Sequence, residues 1–357
     1  MFVGGEFYDD SAWVTNTPAP PCEDAIFLNG GRACLSVISD YLCINKLNKI
    51  LLPVYLCPTI LDVLDQHALN YTFYGINEDF SIDLDDLLTK ANDTQVVYFI
   101  NYFGFQHSSE TLSVLGHLQS NGKLLIEDNA QAGFISNPLG DFSFNSMRKF
   151  CANDGGYLAT RISLSSFLND SFGRENHRLP LIREYRHRLH SYLYEGRGSR
   201  EELEHLFSKA ERYYELDHVI IGDNDERNKI EHLDWKAIKA VRRDNFDYLL
   251  NKISQIPGVC PIYHTLQPDN MPLGLPVYVS DFSRDRLIDL LAEESISLTV
   301  HWDALPSDPR TQNDPRVTKM ANHILTLPVD QYTSRSQMNY LSEHLSRIIT
   351  TTNQRHT

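Results

Sequence analysis

The sequence predicts an α/β fold in which a mostly parallel central sheet is followed by a smaller C-terminal α/β domain. Short apolar segments alternate with amphipathic segments as far as residue 160, and glycine-rich or polar residues follow several of them. Beyond about residue 230, a second series of strands and helices is separated by proline and glycine. Such alternation is typical of a parallel sheet covered by helices. We expect an N-terminal arm at residues 1–24, a large domain at 25–230 and a small domain at 231–357.

The predicted strands of the large domain are short apolar runs, typical of buried strands. They fall at residues 25–28, 50–53, 71–74, 96–100, 124–126 and 156–159. Helical periodicity is found at residues 33–47, in a segment ending near His67, and at 83–88 and 108–118. In such sheets the ligand lies at the carboxyl ends of the strands. Residues 29–32, Tyr55, Asn101 and Asp128 follow strands, so we expect them to converge.

The residues Asn29-Gly30-Gly31-Arg32 connect a predicted strand to a predicted helix. Glycines at this position let the backbone approach a ligand, and a helix N-terminus offers N–H groups to an anion. An ordinary tight turn would use the same residues. The segment is therefore a candidate anion site that needs support from elsewhere in the chain.

The segment from Lys123 to Gly156 carries the clearest chemical pattern. Its strand ends in Glu127 and Asp128, and Lys149 lies 21 positions after Asp128. A glycine pair then leads into the next strand. An acid, a lysine and a glycine pair are the parts that hold pyridoxal phosphate (PLP): the acid pairs with the pyridine nitrogen and the lysine forms a Schiff base. Singly, such an acid is usually a helix N-cap and such a lysine is usually solvated, so the order of the three favours the site.

Composition excludes several functional classes. The formal net charge of −15 argues against nucleic acid as a partner. The N-terminus lacks the apolar core of a signal peptide, and no apolar run reaches the length of a membrane span. The six cysteines, at positions 22, 34, 43, 57, 151 and 260, have no spacing that suits zinc. We expect free thiols, no metal and a cytoplasmic location.

The second half of the chain contains two further candidate features. Residues 174–188 are dense in arginine and histidine, and helices are predicted at 179–194 and 201–214. This stretch is either a solvated helix face or a site for an acidic substrate or a partner subunit. The small domain is predicted to contain a helix at 234–250, strands at 297–300 and 324–329, and a last helix at 334–349. His301 and Trp302 follow the first of these strands, where they either contact a substrate or are ordinary surface and core residues.

Several ordered motifs together resemble a known family. They are Gly30-Gly31-Arg32-Ala33, LLPVYLCP at 51–58, EDNAQAG at 127–133, FSFNSMRK at 142–149, DGGYLAT at 154–160, RRDNF at 242–246 and ILTLPVD at 324–330. The set resembles the DegT/DnrJ/EryC1/StrS family of PLP-dependent sugar aminotransferases. The resemblance runs from about residue 25 to residue 349 and is weak at residues 162–230. It implies the three-layer fold of the PLP-dependent transferases, fold type I.

The resemblance also implies roles for individual residues. Lys149 would form the Schiff base and act as the base that moves the proton, and Asp128 would hold the pyridine nitrogen protonated. Gln131 would approach the ring hydroxyl. The phosphate would be bound by the N–H groups of Gly31 and Arg32 and by the hydroxyl of Ser146, or else of Ser143. Tyr55 is preferred over Cys57 as the residue stacked on the cofactor, because only Tyr55 has a ring.

The function implied is transfer of an amino group from an amino acid such as glutamate to a keto-sugar nucleotide, for amino-sugar or surface polysaccharide biosynthesis. A homodimer is also implied, with Asn224 or Asn228 replacing the asparagine that reaches the neighbouring site. Two alternatives remain. PLP-dependent sugar dehydratases of the family carry histidine in place of the lysine, so Lys149 argues against that activity. A catalytically silent member would act as a binding or assembly subunit.

Overall fold

The computed structural model describes residues 1–18, 24–164, 175–216, 219–280, 282–311 and 314–353. Its strands are β1 (Val3–Gly4), β2 (Ile26–Leu28), β3 (Lys49–Pro53), β4 (Asn70–Tyr74), β5 (Val96–Ile100), β6 (Leu124–Asp128), β7 (Phe142–Phe144), β8 (Gly156–Thr160), β9 (Val259–Pro261), β10 (Leu275–Val279), β11 (Ile296–Ser297) and β12 (Ile324–Leu327). Its helices are α1 (Gly31–Ile44), α2 (Pro58–Gln66), α3 (Leu84–Ala91), α4 (Ser109–Ser120), α5 (Arg178–Glu195), α6 (Arg200–Leu216), α7 (Asn224–Glu231), α8 (Trp235–Ile253), α9 (Arg284–Glu293), α10 (Pro315–His323) and α11 (Arg335–Asn353). Among these described helices, none combines the length and the apolar character needed to cross a membrane.

The central sheet has seven strands in the order β2-β8-β7-β6-β5-β3-β4. The neighbours from β4 to β7 pair in parallel, whereas β8 runs antiparallel to both β7 and β2. The interior strand β5 is buried along its whole length, as expected when helices cover a parallel sheet. The predicted mostly parallel α/β sheet is confirmed. Because β2, β3, β5 and β6 all run in one direction, the residues that follow them lie at one edge.

A second, antiparallel sheet has the order β12-β10-β9 and lies in the C-terminal part of the chain. The fully buried guanidinium of Arg242, on α8, connects this part to the central sheet. Its Nη1 donates to the carbonyl oxygen of Pro272 at 3.1 Å and its Nη2 to that of Phe150 at 3.5 Å. Burial lowers the pKa of Arg242 to about 10. Since Phe150 follows Lys149 in sequence, the C-terminal part is bonded directly to the segment that carries the candidate lysine.

The N-terminal segment corrects one expectation. Val3 is fully buried within the main hydrophobic core, and β1 pairs in parallel with β11. The carboxylate of Asp10 accepts hydrogen bonds from the backbone of Ala152 at 2.8 Å and the side chain of Asn153 at 2.6 Å. The expectation that this segment contributes nothing to the core is therefore wrong for Val3, and the arm at residues 1–24 as a unit stays a prediction. The sequence signal was missed because two apolar residues beside glycine are too short a strand pattern.

Helix boundaries differ from the predicted ones in a way that matters for the site. Helix α1 begins at Gly31, two residues before the predicted start at residue 33, so its first turn includes Gly31 and Arg32. Helix α7 was not predicted; Asp223 caps it by accepting from the backbone N–H groups of Asp225 and Glu226. Helix α3 is capped by Asp83, which accepts from the N–H of Asp86.

Some predicted features lie outside the described residues, namely Cys22, Arg174 and the proline pair at 20–21. The cysteines within the described residues are free thiols. Burial raises the pKa of Cys34 and that of Cys151. The expectation of free, reduced cysteines is confirmed for the part of the chain that the structure describes.

Candidate active site

Asp128 ends β6 as a buried carboxylate whose hydrogen-bond donors among the described residues are neutral. The hydroxyl of Tyr98 donates to its Oδ2 at 2.6 Å, and the backbone N–H of Ala130 donates to its Oδ1 at 2.7 Å. Burial raises the pKa of Asp128, and these hydrogen bonds and the charge of Lys149 lower it by less. The side chain is 5% exposed and has no ion-pair partner among the described residues. A cation brought to this carboxylate would therefore be stabilised.

Lys149 lies at the end of a short 3-10 turn, Met147–Lys149. The turn is fixed by the N–H of Met147, which donates to the carbonyl oxygen of Gly155 at 2.8 Å. On its far side, the side chain of Gln331 donates to the carbonyl oxygen of Phe150 at 2.6 Å. The ammonium of Lys149 makes no hydrogen bond to any described residue. Burial lowers its pKa, the effect that prepares a lysine to act as a base or nucleophile.

A cavity of 120 Å³ brings these two residues together with most of the predicted site. An outer cavity of 350 Å³ shares Cys57, Arg148, Lys149 and Trp302 with it. The predicted residues that line the inner cavity are Gly31, Arg32, Asp128, Gln131, Ser146, Lys149 and Trp302. His301 lines the outer cavity. The expected convergence at the carboxyl edge of the sheet is confirmed for Asp128 and for the start of α1.

The N-terminus of α1 lies against Ser146 and forms the candidate anion site. Gly30 precedes the helix with φ of +104°, a backbone conformation that glycine adopts without strain. A Cβ atom added to Gly31 would lie 3.7 Å from the Cβ of Ser146, so backbone and hydroxyl face the same space. Backbone N–H groups of a first helical turn and a hydroxyl are the donors that a phosphate requires.

Two predicted residues lie outside the cavity lining. The ring of Tyr55 is fully buried, 5.2 Å from that of Trp302, and its hydroxyl donates to the carbonyl oxygen of His301 at 3.0 Å. The hydroxyl of Ser143 accepts from the side chain of Asn129 at 2.9 Å. In place of Tyr55, the structure puts Cys57 and Trp302 at the cavity wall. Tyr55 was preferred because it has a ring. That preference did not consider which side chain of the loop after β3 faces the sheet edge.

Gln131 connects the inner cavity to the C-terminal part of the chain. Its Oε1 accepts from the backbone N–H of Phe103 at 2.9 Å, and its Nε2 lies 3.4 Å from Nδ1 of His301. Burial, followed by the charge of Lys149, lowers the pKa of His301 to about 3. The imidazole is therefore neutral at physiological pH.

The basic stretch on α5 contains two buried arginines, Arg178 and Arg186, that are bound by acids of the same chain. Arg178 and Arg186 both bind the carboxylate of Asp154, the latter with an Nη2–Oδ1 distance of 2.7 Å. Arg183 binds the buried Glu226 at 2.8 Å. Burial alone would raise the pKa of Asp154, but the surrounding arginines lower it to about 2. Both interpretations offered for this stretch are therefore wrong for Arg178 and Arg186, whereas the side chain of Arg183 is 37% exposed and lies at the solvated side of the helix.

Arg148 is a cavity residue that sequence reasoning did not select. It lines both cavities beside Lys149, and its Nη1 lies 3.5 Å from Oε1 of Glu211 on α6. The only available signal was its position next to the candidate lysine. Arg148 places a positive charge at the mouth of the site, where it lowers the pKa of Lys149 further.

Solved structures with a similar fold include several sugar aminotransferases. Spr1654 from Streptococcus pneumoniae, assigned as a sugar aminotransferase, gives a TM-score of 0.70 at 15% identity over 98% of each chain. CalS13 from Micromonospora echinospora, a sugar aminotransferase, gives 0.64 at 15% identity, covering 90% of this chain and 87% of that one. A DegT/DnrJ/EryC1/StrS aminotransferase from Brucella abortus gives 0.63 at 15% identity, covering 92% and 87%.

The chain has the fold of the sugar aminotransferases. The predicted three-layer α/β fold of type I is thereby confirmed, with a mostly parallel sheet as its middle layer. The sequence itself matches no protein-family model and no curated protein sequence. In this fold the residues of the inner cavity lie at the end of β5, β6 or β7 or follow β2, β3, β6 and β7, apart from Trp302, at the edge where parallel α/β sheets bind ligands.

Proposed function

We propose that this protein is a PLP-dependent aminotransferase that transfers an amino group from an amino acid, glutamate in the first instance, to a keto-sugar nucleotide. The product would be an amino sugar for a surface polysaccharide or a secondary metabolite. The observation that carries the proposal is that Asp128 and Lys149 line one cavity without an ion-pair partner among the described residues. Spr1654, which shares the fold, was solved in a PLP form and a PMP form, and this supports the same cofactor here.

The residues of the inner cavity fit PLP. Asp128 is a buried carboxylate that forms no ion pair with a described residue, and a protonated pyridine nitrogen would supply a close cation. The first turn of α1 and the hydroxyl of Ser146 would bind the phosphate. Gln131 has a second N–H available for the ring hydroxyl, because its amide group donates only once to His301. When bound, PLP supplies an electron sink for the carbon that loses or gains a proton.

The chain's own residues would supply the remaining chemistry. Lys149 holds the cofactor and then moves a proton, which its lowered pKa favours because more of the amine is neutral near pH 7. Asp128 keeps the cofactor's ring nitrogen protonated. Trp302 closes one side of the cavity and limits access of water. His301 and Trp302 are the proposed substrate contacts from the C-terminal part of the chain.

We also propose a cytoplasmic homodimer in which each site receives residues from the neighbouring chain. Asn224 and Asn228 on α7 are exposed, so either could reach a partner. Analytical ultracentrifugation of the PLP-loaded protein tests this assembly. A fully active monomer would contradict it.

The amino-transfer half-reactions can be followed through the colour of the cofactor. We expect the purified protein with PLP to absorb in the visible range and glutamate to bleach this band. Adding a suitable keto-sugar nucleotide should then restore it. If the cofactor stays bound but no amino acid bleaches the band, the aminotransferase proposal fails and a silent binding subunit becomes the better explanation.

A further inference from the structure

His301 has a buried ring nitrogen without a hydrogen-bond partner. Its Nε2 atom is enclosed and forms no hydrogen bond with any described residue. The same imidazole lines the outer cavity together with Lys149 and Trp302. An unsatisfied buried polar group costs about 1–3 kcal/mol. A partner for Nε2 is therefore expected when the site is in use, and its nature depends on whether Nε2 donates or accepts.

The contacts of Gln131 decide which nitrogen of His301 carries the proton. The N–H of Phe103 can only donate, so the atom of Gln131 that it meets at 2.9 Å must be the amide oxygen. The amide nitrogen of Gln131 then faces Nδ1 of His301 at 3.4 Å. An amide nitrogen only donates, so Nδ1 is the acceptor. In a neutral imidazole the proton is then on Nε2, and the partnerless atom is a donor.

The imidazole of His301 stays neutral, and its neighbours fix its position. Burial and the charge of Lys149 lower the pKa of His301 to about 3, so it does not become an imidazolium in the neutral range. The backbone carbonyl oxygen of His301 accepts a hydrogen bond from the hydroxyl of Tyr55 at 3.0 Å. Phe103 and Trp302, on either side of the imidazole, have φ of +54° and +63°. Such conformations cost about 1–3 kcal/mol and persist where the surroundings enforce them, often at functional sites.

We propose that Nε2–H of His301 donates a hydrogen bond to an uncharged oxygen, a hydroxyl or a carbonyl, of the sugar substrate. The proposal rests on the aminotransferase function proposed above and names a determinant of its acceptor specificity. The imidazole lies among aromatic rings, 5.2 Å from Phe103 and 6.0 Å from Trp302, which suits a polar group on an otherwise apolar sugar face. A carboxylate of the amino donor would instead favour the guanidinium of Arg148, which lines the same cavity.

The tautomer can be measured without any substrate. In PLP-loaded protein labelled with 15N-histidine, comparison with His301→Gln identifies the resonances of His301. We expect a protonated Nε2 and an unprotonated Nδ1 at neutral pH. In Gln131→Glu the carboxylate can only accept from Nδ1, so the proton should move to Nδ1 or the ring should become charged. A wild-type Nδ1–H tautomer, or a wild-type imidazolium, would overturn the proposal.

Kinetics test the partner of the donor. His301→Phe keeps a ring and removes both hydrogen bonds, whereas His301→Gln keeps an acceptor and a donor. With dTDP- and UDP-linked 3-keto and 4-keto 6-deoxyhexoses as acceptors, we expect His301→Phe to lower kcat/KM for the sugar by about tenfold. The half-reaction with glutamate should change by less than about twofold, since the donor carboxylate is bound elsewhere. His301→Gln should recover most of the loss.

The outcomes separate this proposal from the aminotransferase function. If the wild type transfers the amino group and His301→Phe affects both half-reactions equally, or neither, the role of His301 is wrong and the function stands. If His301→Phe fails to fold, the comparison rests on His301→Gln: its sugar kcat/KM should stay within about threefold of wild type, and a larger loss, or an equal loss with glutamate, overturns the role. If the wild type never converts with any amino acid, the function fails and the proposal fails with it.

Discussion

The cofactor cavity and the contact between helix α5 and the loop before β8 each enclose a carboxylate, but the two are stabilised in opposite ways. Asp128 in the cavity receives hydrogen bonds from the neutral Tyr98 hydroxyl and Ala130 N–H, and burial raises its pKa. Asp154 in the loop binds Arg178 and Arg186, and its pKa is about 2. Both side chains are buried to a similar extent. Burial alone therefore does not distinguish a functional acid from a structural one.

The difference lies in compensation of charge. A buried charge that the chain itself neutralises joins two parts of the structure, and removing one partner is costly. A buried charge that the chain leaves without a counterion marks a place where a ligand completes the pair. On this argument Asp128 and Lys149 belong to the site. Asp154, through Arg178 and Arg186, instead attaches α5 to the loop before β8. The predictions below test that division.

The largest expected effect comes from removing the lysine. Lys149→Ala should abolish the visible absorbance of the PLP-loaded protein and lower amino transfer by more than about 10³-fold, because both the covalent link and the proton-transfer base are lost. Absorbance spectroscopy with added glutamate measures both. Lys123→Ala is the matched control, since Lys123 donates to the carbonyl oxygen of Thr94 at 2.5 Å, away from the cavity. Retained transfer in Lys149→Ala would exclude the proposed mechanism.

The second-largest loss of activity is expected from replacing Asp128. Asp128→Asn keeps the shape of the side chain but cannot hold a proton on the ring nitrogen, so we expect PLP to stay bound and turnover to fall about 10²-fold. Steady-state kinetics at saturating glutamate checks this. Glu127→Gln provides the comparison, because Glu127 accepts from the backbone N–H groups of Leu139 and Gly140 and lies outside the cavity lining. Equal losses in the two variants would remove the special role of Asp128.

Replacing Asp154, the acid bound by two arginines, should lower stability more than turnover. Asp154→Asn leaves Arg178 and Arg186 without their shared carboxylate, so we expect a loss of about 3–5 kcal/mol in the free energy of unfolding. Denaturant unfolding measures this loss. Asp223→Asn is the control: its ion pair with Arg183 is about one-third exposed on both sides and should contribute less than about 1 kcal/mol. A stable Asp154→Asn that loses only turnover would place Asp154 in the site instead.

The sequence predicted the parts of the site that depend on local order. The site could be located from three features: an acid ending a strand, a lysine 21 positions later and glycines before a helix. They meet because the parallel sheet brings strand ends together. The choice between Tyr55 and Cys57 was not predictable, since it depends on how the loop after β3 turns at the sheet edge. In the structure Cys57 lines the cavity and Tyr55 packs on Trp302.

Contacts between residues far apart in sequence were not predictable from the sequence. The arginines of α5 were visible as a basic stretch, but their partners Asp154 and Glu226 lie 24 or more positions away in sequence. The donor on His301 likewise depends on a backbone N–H of Phe103 and an amide of Gln131, separated from it by 170 positions in the latter case. Contacts of this kind are set by the tertiary fold and leave no periodic pattern to read.

The smallest and most discriminating effect is the pH dependence of stability without PLP. The folded pKa of Asp154 lies below its ordinary 3.8, so its contribution of about 2 kcal/mol is present above pH 4 and is lost as pH falls toward 2. The folded pKa of Asp128 is raised, so ionising it costs stability, and that cost is relieved as pH falls. Denaturant unfolding of the wild type, Asp154→Asn and Asp128→Asn at several pH values separates the two contributions.

In the difference between wild type and Asp154→Asn, the stability advantage should shrink as the solution becomes acidic. In the difference between wild type and Asp128→Asn, the wild type should be the less stable protein near pH 7, and its deficit should shrink on acidification. Adding PLP should abolish that deficit, because the protonated ring nitrogen gives Asp128 the cation that the chain does not provide. Differences of the same sign for both acids, or a deficit that persists with PLP, would mean that charge compensation does not separate the two carboxylates.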